Sequence, residues 1–469
     1  MSKEAYDLAI IGAGSAGLIA ADFAVKLGAK VALLERDRIG GDCTWTGCVP
    51  SKSLLKVGKV AHDVRTAAQY GIGAQTPIVD MVQVREYLRS AINQIYKGTT
   101  PEALQQKGMT VLLGPVSFVD AHTLAVGEQR IRASKVLIAT GAHPVIPEML
   151  GLNEVRFSTY LDIFEHDRLP EVMVVIGGGP VGVEVAQAYQ RLGAEVTIFA
   201  ERLLPKEEPD ASQILRRVLQ REGLRFVSER ALSVAQWGSR ISVTSQQNQV
   251  ECDLLFVAAG RTPTINGLNL DAAGVKYSEK GIQVNDRLQT STGTIYAAGD
   301  VLGGMQFSHF AGWQGFQAVR NALLPGNSSG FVSVVPRVTF SDPEVAQVGQ
   351  TEAAARSAHP NNVVVALWPI SRVDRAVCEN DREGMLKIIA QPDGTILGAT
   401  IVAERAGEAI MEMATALHKK LKMSDLAGII HPYPTYCSGI QLLATEMAVK
   451  HTLTGVSGTL VRAASKMAR

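Results

Sequence analysis

Cys43 and Cys48 stand four residues apart in Gly40-Gly41-Asp42-Cys43-Thr-Trp-Thr-Gly-Cys48-Val-Pro50-Ser-Lys52. Two thiols this close are candidates for reversible disulfide chemistry. On a regular helix, residues five apart sit ~140° around the axis with Cα atoms ~8–9 Å apart. A disulfide needs ~4.4–6.8 Å. If the two bond, the segment is not regular helix throughout; Gly47 and Pro50 predict an irregular entry and a helix from about Pro50. Lowering a thiol pKa takes a nearby cation or a helix N-terminus, and Lys52 and the helix start offer both. The alternative is two reduced, buried thiols with no redox role. Five cysteines in 469 residues cannot form a secreted disulfide framework.

Such a pair needs a partner for its electrons, and two stretches point to nucleotide binding. Tyr6-Asp-Leu-Ala-Ile-Ile-Gly12-Ala-Gly14-Ser-Ala-Gly17 reads as a buried strand entering a Gly-rich turn. Val172-Met-Val-Val-Ile-Gly177-Gly-Gly179-Pro-Val-Gly182 repeats the pattern. Each runs into an Ala-rich helix that ends at Leu-Gly-Ala (Leu27–Ala29 and Leu192–Ala194), then into a strand, Lys30–Leu34 or Glu195–Phe199. A single Gly-x-Gly-x-x-Gly is weak evidence; two in matching contexts predict two Rossmann-like units. The first glycine makes the turn, the second admits a pyrophosphate and the third lets helix and strand pack. Free N–H groups at the helix start meet the anion.

The units differ where the second strand ends. Glu35, 23 residues after Gly12, suits a ribose diol. The second unit has Ala200 there, followed by Glu201 and Arg202. Absence of an acid with Arg202 nearby tilts the expectation to NADPH; alternatively Glu201 takes the ribose and the coenzyme is NADH.

Further strand ends of the kind that meet a nucleotide are Val136–Gly141, Leu254–Pro263 and Ile295–Asp300. From about Val335 the chain alternates strands (Gly384–Ala390, Ile396–Val402) with helices (Gly407–Lys420, about Ser438–His451), as an α+β domain does. Leu324–Gly330 reads as a linker. The fold class expected is α/β: two dinucleotide-binding domains plus a C-terminal α+β domain. The domains expected are 1–150 with 266–333, then 151–265, then 334–469. A net charge of +1 gives no nucleic-acid signature. The apolar run Leu8–Val25 is interrupted by Gly12, Gly14, Ser15, Gly17 and Asp22, which argues against a membrane span. The opening Met1-Ser-Lys-Glu-Ala-Tyr-Asp lacks a basic start and cleavage site, so a cytoplasmic location is expected.

Gly-Gly-Asp-Cys-x4-Cys-Val-Pro-Ser-Lys resembles the redox-active disulfide of the pyridine nucleotide–disulfide oxidoreductases, FAD enzymes that include dihydrolipoyl dehydrogenase, glutathione reductase and mercuric reductase. The paired Gly-x-Gly-x-x-Gly units, Ala139-Thr140-Gly141, Gly260-Arg261-Thr-Pro263, Tyr296-Ala-Ala-Gly299-Asp300 and Val334–Gly349 follow in the family order, so the resemblance covers nearly the whole chain. It implies that Gly12, Gly14, Gly17, Glu35, Gly41, Thr140, Gly141, Gly299 and Asp300 hold FAD. Gly177, Gly179, Gly182, Gly260 and Glu201 or Arg202 would hold NADPH or NADH. Lys52 would sit by the flavin, paired with Glu184. Cys48 would face the flavin and Cys43 the substrate. It further implies a homodimer with Tyr433 reaching a partner's disulfide. No resident metal is expected.

The C-terminal segment departs from part of that family. In His431-Pro-Tyr433-Pro-Thr435-Tyr-Cys437-Ser438-Gly439, Tyr433 and Ser438 occupy the places of the histidine and glutamate that serve dihydrolipoyl dehydrogenase and glutathione reductase as acid and base. A tyrosine, with a pKa of about 10, is a poor base at neutral pH. Tyr433, with Asp374-Arg375-Ala376, resembles mercuric reductases instead. However, Gly455–Arg469 lacks the vicinal cysteines that would deliver a soft metal. The expected function is an FAD-dependent NAD(P)H oxidoreductase of the mercuric-reductase-like branch, passing electrons through Cys43–Cys48 to a disulfide, a soft metal ion or another small acceptor. The rivals are a divergent dihydrolipoyl dehydrogenase using His431 and a flavin-bound redox sensor with vestigial turnover. In an extended segment His431 and Tyr433 share a face; His431 either replaces the missing base in part or only bonds backbone. Cys437 is either a redox thiol or filler, Cys252 and Cys378 read as ordinary strand or loop cysteines, and Trp45 packs.

Overall fold

The computed structural model describes residues 5–453 and 455–468. It divides into two compact units, Met1–Gly177 with Arg191–Ala194 and Ala231–Val332, and Gly178–Gln190 with Glu195–Arg230 and Ser333–Arg469.

In the first unit, β1 (Ala5–Ile11), α1 (Ser15–Lys26) and β2 (Val31–Glu35) form the strand–turn–helix–strand that the glycine pattern predicts. β1 lies between β2 and Gln129–Ile138, parallel to both, and Met109–Leu113 extends the sheet beyond β2. Gln129–Ile138 has two roles. Its first half pairs antiparallel with Thr123–Val126, while Val136–Ile138 pairs parallel with Ile295–Ala297. The result is a mixed sheet whose parallel part carries Gly12, Ala139 and Gly299 at its strand ends. These strands are nearly continuous apolar runs because both sheet faces are covered.

The alanines of α1 have a packing reason. Ala16, Gly17, Ala20, Ala21 and Ala24 are buried, and the facing helix Ser308–Leu323 comes so close that a Cβ on Gly315 would stand 2.2 Å from Ala16 O. Leu324–Gly330 is irregular but tied down rather than loose: Asn321 Nδ2 donates to Ser328 O, and a Cβ on Gly330 would strike Leu288. Val172–Ile176 pairs parallel with Leu254–Val257.

In the second unit, Glu195–Phe199 pairs parallel with Arg225–Val227. Its larger part is a five-stranded antiparallel sheet in the order Arg337–Thr339, Glu344–Gly349, Ile396–Ala403, Met385–Ala390, Val364–Pro369. Ile410, Met413, Ile440 and Leu443, from helices Ala406–Lys419 and Cys437–Leu453, join Leu386, Ile388 and Ile401 in one core. This is the C-terminal α+β domain that the sequence predicts. No described helix is long and apolar enough to cross a membrane.

Candidate active site

The cysteine segment is a broken helix. α2 (Gly41–Trp45) and α3 (Cys48–Thr66) are separated by Thr46 and Gly47, both out of helical geometry. The helix begins at Cys48, two residues before the expected start at Pro50, because Gly47 lets the chain turn in place: a Cβ there would lie 2.8 Å from Asp42 O. The turn brings the two thiols within hydrogen-bonding reach of each other. Cys48 Sγ also lies 3.2 Å from Ser308 Oγ, and Ser15 bonds Cys43. The hydrogen bond from Cys48 outweighs burial and holds the Cys43 thiol down at about 6; Cys48, the donor in that bond and itself partly buried, is pushed up. Lys52, one turn into α3, opposes that rise. The pair is thus built to keep one proton between two sulfurs, with Cys43 the more anionic. Trp45 packs, as expected: its Nε1 donates to Ile39 O at 2.8 Å and its ring meets Tyr96.

Around α2 lies a cradle that fits a dinucleotide. Gly12 has φ +102°, and a Cβ there would be 2.3 Å from Ala139 O; one on Gly17 would be 1.8 Å from Gly12 O. Gly41 rests on Gly14, with 2.7 Å from an added Cβ to Gly14 Cα. α1 starts without a side-chain cap and without an acid in its first turn, so its N–H groups stay available to an anion. Glu35 Oε2 accepts the Ala13 N–H at 2.8 Å, which fixes the carboxylate at the end of β2. Thr140 donates to Thr264 O at 2.7 Å, Gly141 is left-handed with open space on its Cβ side, and Gly299 donates to Gln314. Asp300 is raised by burial and steadied by Arg261.

The second glycine turn has the same closeness. A Cβ on Gly177 would be 2.3 Å from Ala258 O and one on Gly178 2.4 Å from Arg202 O, whereas Gly179 faces open space. Gly182 lies within helix Pro180–Leu192, and Gly260 has φ +130°. Glu201 is engaged by Arg230 at 2.8 Å, with both side chains exposed. Glu184 is buried and accepts the Phe340 N–H at 2.8 Å.

At the C-terminal segment the chain is irregular rather than extended, so His431 and Tyr433 go to different partners. His431 Nε2 meets Glu412 Oε1 at 2.8 Å and Nδ1 meets Ile429 O at 2.9 Å. Tyr433 is 73% exposed and donates to Asp374 Oδ2 at 2.6 Å. That carboxylate pushes the phenol up. Cys437 is pushed up to about 11 by burial and by Glu412. Cys252 is buried at a strand end; Cys378 is exposed on helix Asp374–Cys378 rather than in a loop. Among the described residues no cluster of three or more His, Cys, Asp or Glu is placed to hold a metal.

Sequence reasoning missed Ser15, Ser308, Glu412 and the Asp42–Arg261 pair. Only Asp42, a charge beside Cys43, carries a local signal; Ser308 is 260 residues from the thiol it meets.

Residues 6–315 match the model of the pyridine nucleotide-disulphide oxidoreductases, and 335–444 that of their dimerisation domain. The chain is 35% identical to a mercuric reductase of Staphylococcus aureus over 94% of its own length and 82% of the relative's. It is 33% identical to a dihydrolipoyl dehydrogenase of Thermus scotoductus over 94% and 97%. The solved HOCl-induced flavoprotein disulfide reductase RclA of Escherichia coli, also known as a Cu(II) complex, superposes with a TM-score of 0.85 at 27% identity, covering 94% of this chain and 99% of that one. With matched models over most of its length and relatives above 30% identity, the chain belongs to the pyridine nucleotide-disulphide oxidoreductases and is an FAD-containing, NAD(P)H-using enzyme of that family.

Proposed function

We propose that the enzyme passes electrons from NAD(P)H to the Cys43–Cys48 pair and on to a soft metal ion or another thiophilic acceptor, in the manner of mercuric reductases. The carrying observation is the C-terminal segment: it presents an exposed tyrosine, Tyr433, while both ring nitrogens of the neighbouring His431 are occupied by Glu412 and Ile429 O. A dithiol substrate needs a base to take its proton; a soft cation needs only thiolates.

FAD, when bound, supplies the two-electron relay between nicotinamide and sulfur. In this reading Gly12, Gly14, Gly17, Glu35, Gly41, Thr140, Gly141, Gly299 and Asp300 hold it, Lys52 lies beside its ring and Cys48 faces it. Cys43, held near 6, is thiolate at neutral pH and meets the acceptor. Gly177, Gly179, Gly182 and Gly260 hold the coenzyme, with Arg202 selecting NADPH now that Arg230 engages Glu201. The functional domains are 1–150 with 266–333, 151–265 and 334–469. Two copies form a homodimer through the last of these, and Tyr433 serves the cysteine pair of the other copy.

The second reading, a divergent dihydrolipoyl dehydrogenase, draws support from the Thermus relative. Pre-reduced enzyme challenged with Hg(II), Cu(II), lipoamide and oxidised glutathione separates the two. Fast NADPH-dependent consumption of a soft metal with slow disulfide turnover is expected; rapid turnover of lipoamide would reverse the assignment.

A further inference from the structure

Arg261 ties the thiol-bearing helix to the carboxylate beside the cofactor cradle. Its Nη2 lies 2.7 Å from Asp42 Oδ2 and its Nη1 2.7 Å from Asp300 Oδ2. Tyr160 donates to the same Asp42 oxygen at 3.1 Å, and its ring faces the guanidinium at 5.3 Å. The Asp300 side chain is only 12% exposed, and Arg261 Nε is buried. Arg261 opens the short strand Arg261–Pro263, paired with Ala142–Pro144, so its backbone is fixed where the fork is needed. The planar fork, with donors on two separate nitrogens, suits two carboxylates at once, which a lysine ammonium does not match.

Asp42 precedes Cys43 on α2, and its own carbonyl accepts the Thr46 N–H that closes this helical turn. One cation therefore faces two carboxylates, one adjoining Cys43 and one at the cofactor cradle. Reduction of the disulfide takes up two electrons and one proton and leaves one thiol and one thiolate, so the reduced pair carries one more negative charge than the oxidised pair. That charge is disfavoured by Asp42 and Asp300 and favoured by Arg261.

We infer that Arg261 is a positioning and charge-balancing residue that sets the reduction potential of the Cys43–Cys48 pair through Asp42 and Asp300. This rests on the reading that the pair is redox-active and lies beside bound FAD.

The test is an anaerobic redox titration of FAD-loaded wild type, Arg261→Met, Arg261→Lys, Asp42→Asn and the double variant Arg261→Met/Asp42→Asn. Wild type is expected to take up four electrons, two for the cofactor and two for the sulfurs. In Arg261→Met the equilibrium constant for reducing the sulfur pair should fall about tenfold, which is about 30 mV more negative for a two-electron couple. Asp42→Asn should move it the opposite way, and the double variant should recover most of the loss. Arg261→Lys, which keeps the charge, should fall between wild type and Arg261→Met. A purely structural role would alter melting or FAD content and leave the potential in place. A loaded Arg261→Met within twofold of wild type, or an Asp42→Asn shift in the same direction as Arg261→Met, overturns the inference alone. Uptake of only two electrons by wild type overturns the redox reading as well. Should Arg261→Met not load FAD, the direction of the Asp42→Asn shift decides.

Discussion

Ser308 Oγ stands 3.2 Å from Cys48 Sγ, although 260 residues separate them. The hydroxyl stabilises negative charge on either sulfur. Ser308→Ala should remove about 0.5–1.5 kcal/mol of that stabilisation, a loss of about 2–10-fold in thiolate fraction wherever the thiol is partly ionised. The pH dependence of Cys43 alkylation in the reduced protein measures it; an unmoved midpoint would show that the hydroxyl does not serve the thiolate.

The Cys43 value of about 6 depends chiefly on its hydrogen bond from Cys48. Iodoacetamide alkylation of Cys43 in the reduced protein should therefore be half-maximal near pH 6. Cys48→Ala deletes the donor, and the midpoint should climb toward the ordinary thiol value of about 8.5. Cys48→Ser keeps a donor and should climb less. Identical midpoints in all three proteins would mean that the pair shares no proton.

The sequence carries these relationships unevenly. Both glycine turns and the broken cysteine helix are readable because local sterics demand them: only glycine fits at Gly12, where an added Cβ would strike Ala139 O, and at Gly47, where it would strike Asp42 O. The helix start moves from Pro50 to Cys48 because one glycine suffices for the break. What the sequence hides are long-range partners. Glu412 reaches His431 from a helix that ends twelve residues earlier, and Arg261 meets Asp42 across 219 positions. No period or spacing encodes such pairs; they exist only once the sheets have formed. The irregular path at His431 is likewise unreadable: a shared face with Tyr433 follows only for an extended segment, and residues 431–436 are irregular.

His431 and Tyr433 should separate cleanly by mutation. With both nitrogens of His431 already facing oxygens, His431→Ala should leave turnover of the soft-metal acceptor within about threefold of wild type. Tyr433→Phe should lower it by about tenfold or more, in the range lost when a positioned acid–base or ligand group is deleted. The same pair of variants assayed with lipoamide is informative in reverse: a collapse in His431→Ala would identify the histidine as base and favour the dihydrolipoyl reading.

In the proposed reading coenzyme choice turns on Arg202. Gly178 packs against the Arg202 carbonyl, and Leu204 N donates to Gly178 O at 2.7 Å, so Arg202 is fixed beside the glycine turn. Arg202→Ala should raise KM for NADPH about 10–150-fold and leave that for NADH nearly unchanged, the loss expected for one charge-assisted hydrogen bond of about 1.5–3 kcal/mol. Equal losses with both coenzymes would assign Arg202 a structural part only.

Glu344 offers a stability test away from the chemistry. Burial, with Glu408, Asp342 and Glu184 adding like charge, raises its carboxyl to about 7, while the Gly407 N–H that it accepts at 2.7 Å works the other way. Because the folded value lies above the unfolded one of about 4.3, the folded chain binds the proton more tightly. The contribution is fully present below about pH 4 and is lost as pH rises through about 7. Glu344→Gln keeps an oxygen for Gly407 and carries no charge at any pH. It should leave melting almost unchanged at pH 4 and stabilise the protein at pH 8 by about 1–3 kcal/mol, after allowing for partial solvent screening. Thermal melts of wild type and variant across pH 4–8 should diverge steadily with rising pH. Parallel curves would place the titration of Glu344 outside the folding equilibrium, and a variant that loses stability at pH 8 would mean that the charged carboxylate is the form the fold requires.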